Sequence, residues 1–322
     1  MKKLRIINLF ILFTLIFVLI QCSKEEKRVA ILKFVTHPAL NELEEGFINR
    51  FNKKISNDDE LKNIIIEKHN ANANPQTAKD LAEVISREST KLILAIATPA
   101  AQAVSRTPSE IPLIYGAVAD PNGAQIIPSN RATGIQNAGY NIIYRAIYFI
   151  KQAFPELKTI GTLYNPSEQN SVFVQELVKK SCAELKINLV QLPVKDASEV
   201  TSMTLDLAKR VDVIYSANDN TVNSKVTSVI SVCNEKKIPF VLGDLSTLSK
   251  GAFAAIGLEY KSMGEQLADI SFDILKGNPI SMHPPLPAPE PEIWINSQVQ
   301  KNLNITISDT AKTLINKYIN NN

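Results

Sequence analysis

The feature that most constrains this fold is an alternation of strand, loop and helix patterns that occurs twice along the chain. In the first half, apolar runs at residues 29–35 and 92–97 alternate with segments whose apolar residues recur at about every third or fourth position. The pattern starts again near residue 143, and its strand at residues 211–216 parallels the one at 92–97. Such alternation is typical of a parallel sheet with helices on both faces. The sequence therefore predicts an α/β fold with two similar, doubly wound parallel-sheet lobes.

Length and charge agree with this prediction. The chain has 322 residues, which suits two domains of about 100–150 residues better than one core. Its formal net charge of +3 comes from Lys2, Lys3 and Arg5, so the remainder of the chain is balanced. A balanced chain has no basic surface of the kind that binds nucleic acid, and no nucleic-acid partner is expected.

The N-terminus resembles the export signal of a bacterial lipoprotein. Positive residues precede an almost wholly apolar stretch at residues 6–20, which is too short to span a membrane as a helix. The stretch ends at Cys22, although Gln21 stands where such signals normally have a small residue. We expect residues 1–21 to be a signal peptide and Cys22 to carry a lipid anchor, followed by a linker at residues 22–27. The protein would then be anchored in the bacterial cell envelope, facing the periplasm or the exterior; ordinary secretory cleavage or an uncleaved anchor is the alternative.

Two further cysteines, Cys182 and Cys233, lie on the apolar faces of predicted helices. Two buried free thiols are the simpler interpretation, because such cysteines behave as small apolar residues. A single disulfide between them is the alternative, since exported proteins can form such bonds.

The Thr-Pro step that follows the strand at residues 92–97 predicts an anion site. Threonine can cap a helix, proline suits its first turn, and the N–H groups of that turn lack partners within the helix. We expect Thr98, with the N–H groups of Ala100 and Ala101, to hold the carboxylate of a small ligand. Gln102, in the same turn, is a further candidate contact.

More polar loops follow other predicted strands. In open α/β sheets the ligand binds beyond the carboxyl ends of the strands, where these loops meet. A zwitterionic ligand also needs acceptors for its ammonium group, and Asp219 and Glu168 are available. Asp219 is expected to take the ammonium, helped by Glu168 or Asn170. The alternative is that these residues only cap helices and close turns. The candidate ligand residues outside the Thr98 turn are His37, Asn165, Glu168, Asn170, Ser171, Asp219, Asn220 and Asp244.

No pattern favours an enzyme. The sequence has no glycine-rich phosphate loop and no Gly-x-Ser-x-Gly, and its histidines His37, His69 and His283 lie far apart. We therefore predict no catalytic residue, no metal and no cofactor.

Several motifs in a specific order resemble one protein family. Between about residues 29 and 305 the chain is similar to the substrate-binding lipoproteins of ABC transporters, whose better-known members bind tryptophan or tyrosine. Residues 243–247 depart from the family pattern, which is usually more acidic there. The motifs that carry the resemblance lie at residues 34–40, 95–102, 161–171, 219–222 and 264–277.

The resemblance implies a type I periplasmic-binding-protein fold, in which two lobes joined by three crossovers close over a solute. It places the crossovers near residues 135–140, near residues 253–257 and in a proline-rich stretch at residues 281–291. The expected lobes are residues 28–137 with 254–280, and residues 138–253 with 281–322.

The same resemblance implies a function. The protein would bind a small amino acid-like ligand, aromatic by analogy, in the cleft between the lobes and deliver it to an ABC permease with its ATPase. Three alternatives stay open: a lipoprotein that senses a ligand for a membrane partner, a surface protein with an adhesive role, and binding of a sugar or nucleoside.

Overall fold

The computed structural model describes residues 26–87, 89–126 and 130–320. The predicted signal peptide and Cys22 therefore lie outside the described residues. In the described part of the chain, no helix is long and apolar enough to cross a membrane.

The first lobe is built on a five-stranded parallel sheet. In space the strands are ordered β2-β1-β3-β4-β5, so the sheet grows outward on both sides of β1 and β3, as a doubly wound fold requires. The central strands are almost completely buried, because helices cover both faces of the sheet. The strands are β1 (Arg28–Lys33), β2 (Ile65–Asn70), β3 (Thr90–Ile96), β4 (Leu113–Val118) and β5 (Ala132–Gln136).

The helices of this lobe are α1 (Pro38–Ile55), α2 (Pro75–Ile85) and α3 (Thr98–Arg106), together with a helix from later in the chain. Each of the three has proline in its first turn, where a missing N–H removes no helical hydrogen bond.

The second lobe is built on a seven-stranded sheet with the order β12-β11-β10-β9-β8-β6-β7. β11 pairs antiparallel with β10, whereas the other described pairs are parallel. The strands are β6 (Thr159–Tyr164), β7 (Asn188–Pro193), β8 (Val213–Ser216), β9 (Phe240–Leu242), β10 (Ala254–Gly257), β11 (Glu292–Asn296) and β12 (Lys317–Ile319).

Helices cover both faces of this second sheet as well. Cys182 and Cys233 lie on two of them and are free and buried. The remaining helices of the chain are α4 (Tyr140–Ala153), α5 (Gln169–Glu184), α6 (Val200–Leu207), α7 (Asn220–Asn223), α8 (Val226–Lys236), α9 (Tyr260–Leu275), α10 (Ser297–Asn302) and α11 (Asp309–Lys312), with 3₁₀ turns at Leu248–Lys250 and Ile280–Met282.

The lobe boundaries differ from those expected from sequence. Residues 254–280 were expected in the first lobe, but β10 pairs with β9 and β11 and buries its side chains in the second core. Only the second part of that segment, α9, packs in the first lobe, mainly against α1. The crossover therefore lies at residues 258–259.

The proline-rich crossover also begins later than expected. Leu286 still belongs to the first lobe, because its N–H donates to Gly134 O and its carbonyl accepts from Gln136 N, at 2.9 and 3.0 Å. The chain then passes to β11 in the second lobe. Together with the segment between β5 and α4, this makes three passages between the lobes.

Very close packing of α1 against α9 sets the position of two cleft residues. A Cβ on Gly264 would lie 2.1 Å from Leu43 O, and one on Gly46 would lie 2.2 Å from Lys261 O. Glycine at both positions therefore lets the two helix backbones touch. His37 at the start of α1 and Tyr260 at the start of α9 are thereby held side by side at the mouth of the first lobe.

Candidate functional site

The carboxyl ends of strands from both lobes face each other across a cleft. A small central cavity there is lined by Ala117 near the end of β4, by Asn137 in the crossover after β5, and by Asn170 and Asn218 of the second lobe, among others. Its volume is about 10 Å³, room for roughly one water molecule. A larger groove of about 400 Å³ lies between α2 and α3 on one side and residues 165–169 on the other.

The backbone bends sharply where strands reach this cleft. Ala97 follows β3, Ala117 lies near the end of β4, and Asn218 comes shortly after β8. Their φ angles are 80°, 57° and 54°, respectively. For residues other than glycine such conformations cost about 1–3 kcal/mol and are concentrated at functional sites. Strain at strand ends on both sides of the cleft marks it as the functional region of this fold.

The Thr98 turn has a different geometry from the one expected. Ala97 is the N-cap residue, and Thr98 is the first residue of α3 without capping it. The Thr98 side chain is only 1% exposed, and its Oγ1 has no hydrogen-bond partner among the described residues. The N–H of Ala101 donates to Ala97 O at 3.1 Å, so the unpaired N–H groups of this turn are those of Thr98 and Ala100. A buried hydroxyl and two amides are thus left to bind an acceptor.

Asp219 holds two loops of the second lobe together. It is 1% exposed and accepts hydrogen bonds from Asn165 N at 2.7 Å, from Val222 N at 2.8 Å and from Ser171 Oγ. The bond to Val222 N caps α7. Both carboxylate oxygens of Asp219 are therefore engaged inside their own lobe.

Glu168 is similarly enclosed. It accepts hydrogen bonds from Thr221 Oγ1 at 3.0 Å, from Asn220 Nδ2 at 2.5 Å and from Asn165 Nδ2 at 3.4 Å. Burial, and to a smaller extent the charge of Asp219, raises the pKa of Glu168 to about 7. Glu168 is therefore partly protonated near neutral pH, and the two carboxyl groups carry less negative charge than their number suggests.

Hydrogen bonds join the two lobes at Gln169 and Asp120, where Gln169 Nε2 donates to Asp120 Oδ2 at 3.4 Å, and beside the central cavity. The His37 ring, from the start of α1, is hydrogen-bonded to the Asn220 side chain of α7, and burial lowers the pKa of His37 to about 4. His37 is therefore neutral at physiological pH. Asp244, on the same side as Asn220, is buried and accepts hydrogen bonds from the N–H and hydroxyl of Ser246.

The structure gives the predicted residues three different surroundings. Those that line the central cavity are His37, Asn170 and Asn220. Those that line the larger groove are Gln102, Asn165 and Glu168. Those that are buried and line neither are Thr98, Ala100, Ala101, Ser171, Asp219 and Asp244.

Sequence reasoning left Asn137 out of the candidate site, although it directly follows β5 and the rule that located the other loops could have found it. Asn218 lies in a polar loop after β8 that the same rule locates, but it was not among the candidate ligand residues. Tyr260 can be recognised in the sequence as an aromatic residue able to stack against a ligand ring, whereas its place in this cavity depends on the packing of α9 on α1. Among the described residues, no group of histidine, cysteine, aspartate or glutamate side chains is placed to hold a metal ion.

Comparison with known proteins identifies the family. Residues 28–317 match the family of ABC transporter substrate binding proteins, and the chain belongs to that family. It is also 31% identical over 286 residues to the tyrosine-binding protein of Clostridioides difficile (strain R20291), a match that covers 88% of this chain and 82% of that protein.

Solved structures share the fold. A conserved domain protein from Vibrio cholerae O1 biovar El Tor superposes with a TM-score of 0.85 at 30% identity, over 91% of this chain and 99% of that one. A domain from Streptococcus pneumoniae in complex with L-Trp superposes with a TM-score of 0.84 over 91% of this chain and 100% of that one. Its identity of 24% shows the fold alone.

A third solved structure also shares the fold. A ligand-free, open substrate-binding protein with adhesive properties from Clostridium difficile is 28% identical, yet its TM-score is 0.66, over 92% of this chain and 100% of that one. The L-Trp complex is less similar in sequence but superposes better.

Replacing Glu168 by glutamine is expected to flatten the pH dependence of stability between about pH 4.5 and 7. In this range the folded protein retains a proton on Glu168 that the unfolded chain has lost, because the pKa rises from 4.5 to about 7 on folding. The free energy of unfolding therefore falls as the pH rises through this window, and the neutral amide removes that contribution. Urea denaturation at a series of pH values measures the slope.

The matched control is Glu156→Gln, at an exposed position. It should keep the wild-type slope. A Glu168→Gln protein with the wild-type slope would show that Glu168 is ionised in the folded state over the whole window.

Proposed function

We propose that this protein captures an aromatic amino acid between its lobes and presents it to an ABC permease and its ATPase. Membership of the substrate-binding family supports capture for transport. The ligand class is supported by the tyrosine-binding protein of Clostridioides difficile, the 31% identical relative. The observation that carries the proposal is the buried, unpartnered hydroxyl of Thr98 at the start of α3.

The start of α3 suits a carboxylate. Thr98 Oγ1 and the N–H groups of Thr98 and Ala100 are donors that lie together in one helical turn. The positive end of the helix dipole adds about 0.3–1 kcal/mol, and each hydrogen bond to a charged group about 1.5–3 kcal/mol. Ala101 donates no hydrogen bond to the carboxylate, because its N–H already donates to Ala97 O, and it acts only as part of the helix and its dipole.

The larger groove suits the aromatic ring. It borders the same helix, and its apolar lining includes Phe34, Pro99 and Ala103. A volume of about 400 Å³ lies within the range of small-molecule sites. Phe34 would pack against the ring, and Gln102, whose Nε2 donates to Ala124 O at 3.2 Å, is held at the rim of the groove.

Ligand entry requires the lobes to separate. The central cavity, at about 10 Å³, is too small for any amino acid, and the His37–Asn220 hydrogen bond closes it. The three crossovers are the segments about which the lobes can rotate. The open form would admit the ligand, and the closed form would be the one that the permease recognises.

L-tyrosine and L-tryptophan are expected to raise the melting temperature of the protein, because a ligand that binds the folded state stabilises it by about 2.7 kcal/mol at a hundred times its Kd. Thr98→Val should weaken binding by about tenfold or more, since it removes one hydrogen bond to a charged group and keeps the shape. Thermal shift identifies the ligand, and isothermal titration calorimetry measures its affinity.

Thr204→Val is the matched control, because its buried hydroxyl bonds to Val200 O within α6 of the second lobe. It should bind with wild-type affinity. Full affinity of Thr98→Val for the ligand would show that the carboxylate does not bind at this turn. A rise in melting temperature with sugars or nucleosides, and with no amino acid, would show that the ligand is not an aromatic amino acid.

We further propose that Cys22 is lipidated and holds the protein at the membrane. The apolar stretch that ends at Cys22 and the polar segment after it support this assignment. In cells of the producing bacterium, Cys22→Ser should move the protein from the membrane fraction to the soluble fraction and abolish incorporation of labelled fatty acid. Ser23→Ala should change neither. Retention of Cys22→Ser protein in the membrane fraction would contradict the anchor.

A further inference from the structure

The central cavity is lined by three asparagine side-chain oxygens that accept no hydrogen bond from the described residues. Asn137, Asn170 and Asn218 all line it, and the side-chain oxygen of each is buried and has no hydrogen-bond partner among the described residues. Asn137 is 7% exposed and Asn170 5% exposed. A buried acceptor without a donor costs about 1–3 kcal/mol, so three around one small space indicate that a group with several N–H or O–H donors belongs there.

The surroundings of each asparagine orient its oxygen. Asn137 donates through Nδ2 to Tyr260 Oη at 3.0 Å, and the Asn170 side chain donates to Glu168. In both residues the amide nitrogen is therefore engaged, and the oxygen is the end left free. Asn218 adopts a left-handed backbone conformation with φ of 54° just after β8.

A glycine makes room for the third oxygen. A Cβ on Gly243 would lie 2.8 Å from Asn218 Oδ1, so a side chain at that position would displace the amide. The space around Asn218 is thus kept free by the residue that follows β9.

The carboxylates near the cavity have their own hydrogen-bond donors and do not need a ligand to supply them. Asp219 accepts three hydrogen bonds and Glu168 four, all from their own lobe. His37 is hydrogen-bonded to Asn220 and carries no charge at neutral pH. The residues that line the cavity therefore carry no charge and present acceptors, which disfavours an anion and suits a small cation with N–H donors.

The number of acceptors selects among such groups. A water molecule supplies two donors, one fewer than the unpaired oxygens, whereas a primary ammonium supplies three. Resting on the function proposed above, we propose that the α-ammonium group of the captured amino acid binds to the three oxygens of Asn137, Asn170 and Asn218, and that Asp219 is not its partner.

This assignment explains how a ligand closes the lobes. The carboxylate site at Thr98 belongs to the first lobe, whereas Asn170 and Asn218 belong to the second and Asn137 to the crossover after β5. A zwitterion bound at both sites is attached to both lobes. A molecule that lacks the ammonium would contact the first lobe and leave the asparagine oxygens of the second unpaired.

The experiment compares L-tyrosine with 3-(4-hydroxyphenyl)propanoate, the same molecule without its amino group, by isothermal titration calorimetry on the full-length protein. Wild type should prefer L-tyrosine by about a hundredfold, since a charged group with its hydrogen bonds is lost. Asn137→Leu and Asn170→Leu should each weaken L-tyrosine binding by about tenfold or more and change the affinity for the propanoate much less, so that the preference shrinks. Asn234→Leu, whose amide donates to Gly251 O far from the cleft, should retain the wild-type preference.

Equal affinities of wild type for L-tyrosine and the propanoate would overturn the ammonium site while leaving aromatic ligand binding intact. The ammonium site would also be overturned if Asn137→Leu and Asn170→Leu lowered the affinity for L-tyrosine and for the propanoate by the same factor. The first of these tests uses the unaltered protein and does not depend on whether a variant folds. If wild type bound neither L-tyrosine nor L-tryptophan, the proposed function itself would fail.

Discussion

The cleft side of the second lobe depends on one buried carboxylate. Asp219 lies at the end of β8 and draws donors from the loop after β6, from the start of α5 and from the first turn of α7. Without these bonds, three loops would lose their common anchor and the carboxylate would be left unpaired in a dry site, at a cost of several kcal/mol. Glu168 completes this arrangement by accepting hydrogen bonds from Asn165, Asn220 and Thr221 of the same loops. Asn165, Asn170 and Asn220 are held directly by this network.

The first lobe contributes a complementary surface. It offers donors at the Thr98 turn, whereas the second lobe and the hinge offer the acceptors Asn137, Asn170 and Asn218. A ligand with a carboxylate and an ammonium is thus complementary to the closed cleft as a whole and to neither lobe alone. Because both sets of groups are neutral, closure over a zwitterion buries no uncompensated protein charge.

Much of the fold could be predicted from sequence, because apolar periodicity is a local property of strands and helices. The lobe to which β10 belongs could not be predicted. A strand of four apolar residues can pair in either sheet, and tertiary packing decides which sheet it joins. The candidate site was located for a general reason, that polar loops follow parallel strands. The roles within it were not predictable: an aspartate after a strand looks the same in sequence whether it binds a ligand ammonium or, like Asp219, its own backbone. Tyr260 can be named from sequence as a residue able to stack against a ligand, but its place in the cavity depends on the close contact of α1 and α9 at Gly46 and Gly264.

The central claim is that an aromatic amino acid closes the two lobes, and an interlobe distance tests it most directly. Lys79 and Lys195 line opposite sides of the larger groove and are exposed, so each can be replaced by cysteine and spin-labelled in a Cys22→Ser chain. Burial raises the pKa of Cys182 and of Cys233 to about 12, which keeps both native thiols unreactive toward the label. Double electron–electron resonance should show a shorter and narrower distance distribution when L-tyrosine is added. The same distribution with and without saturating L-tyrosine would contradict the account.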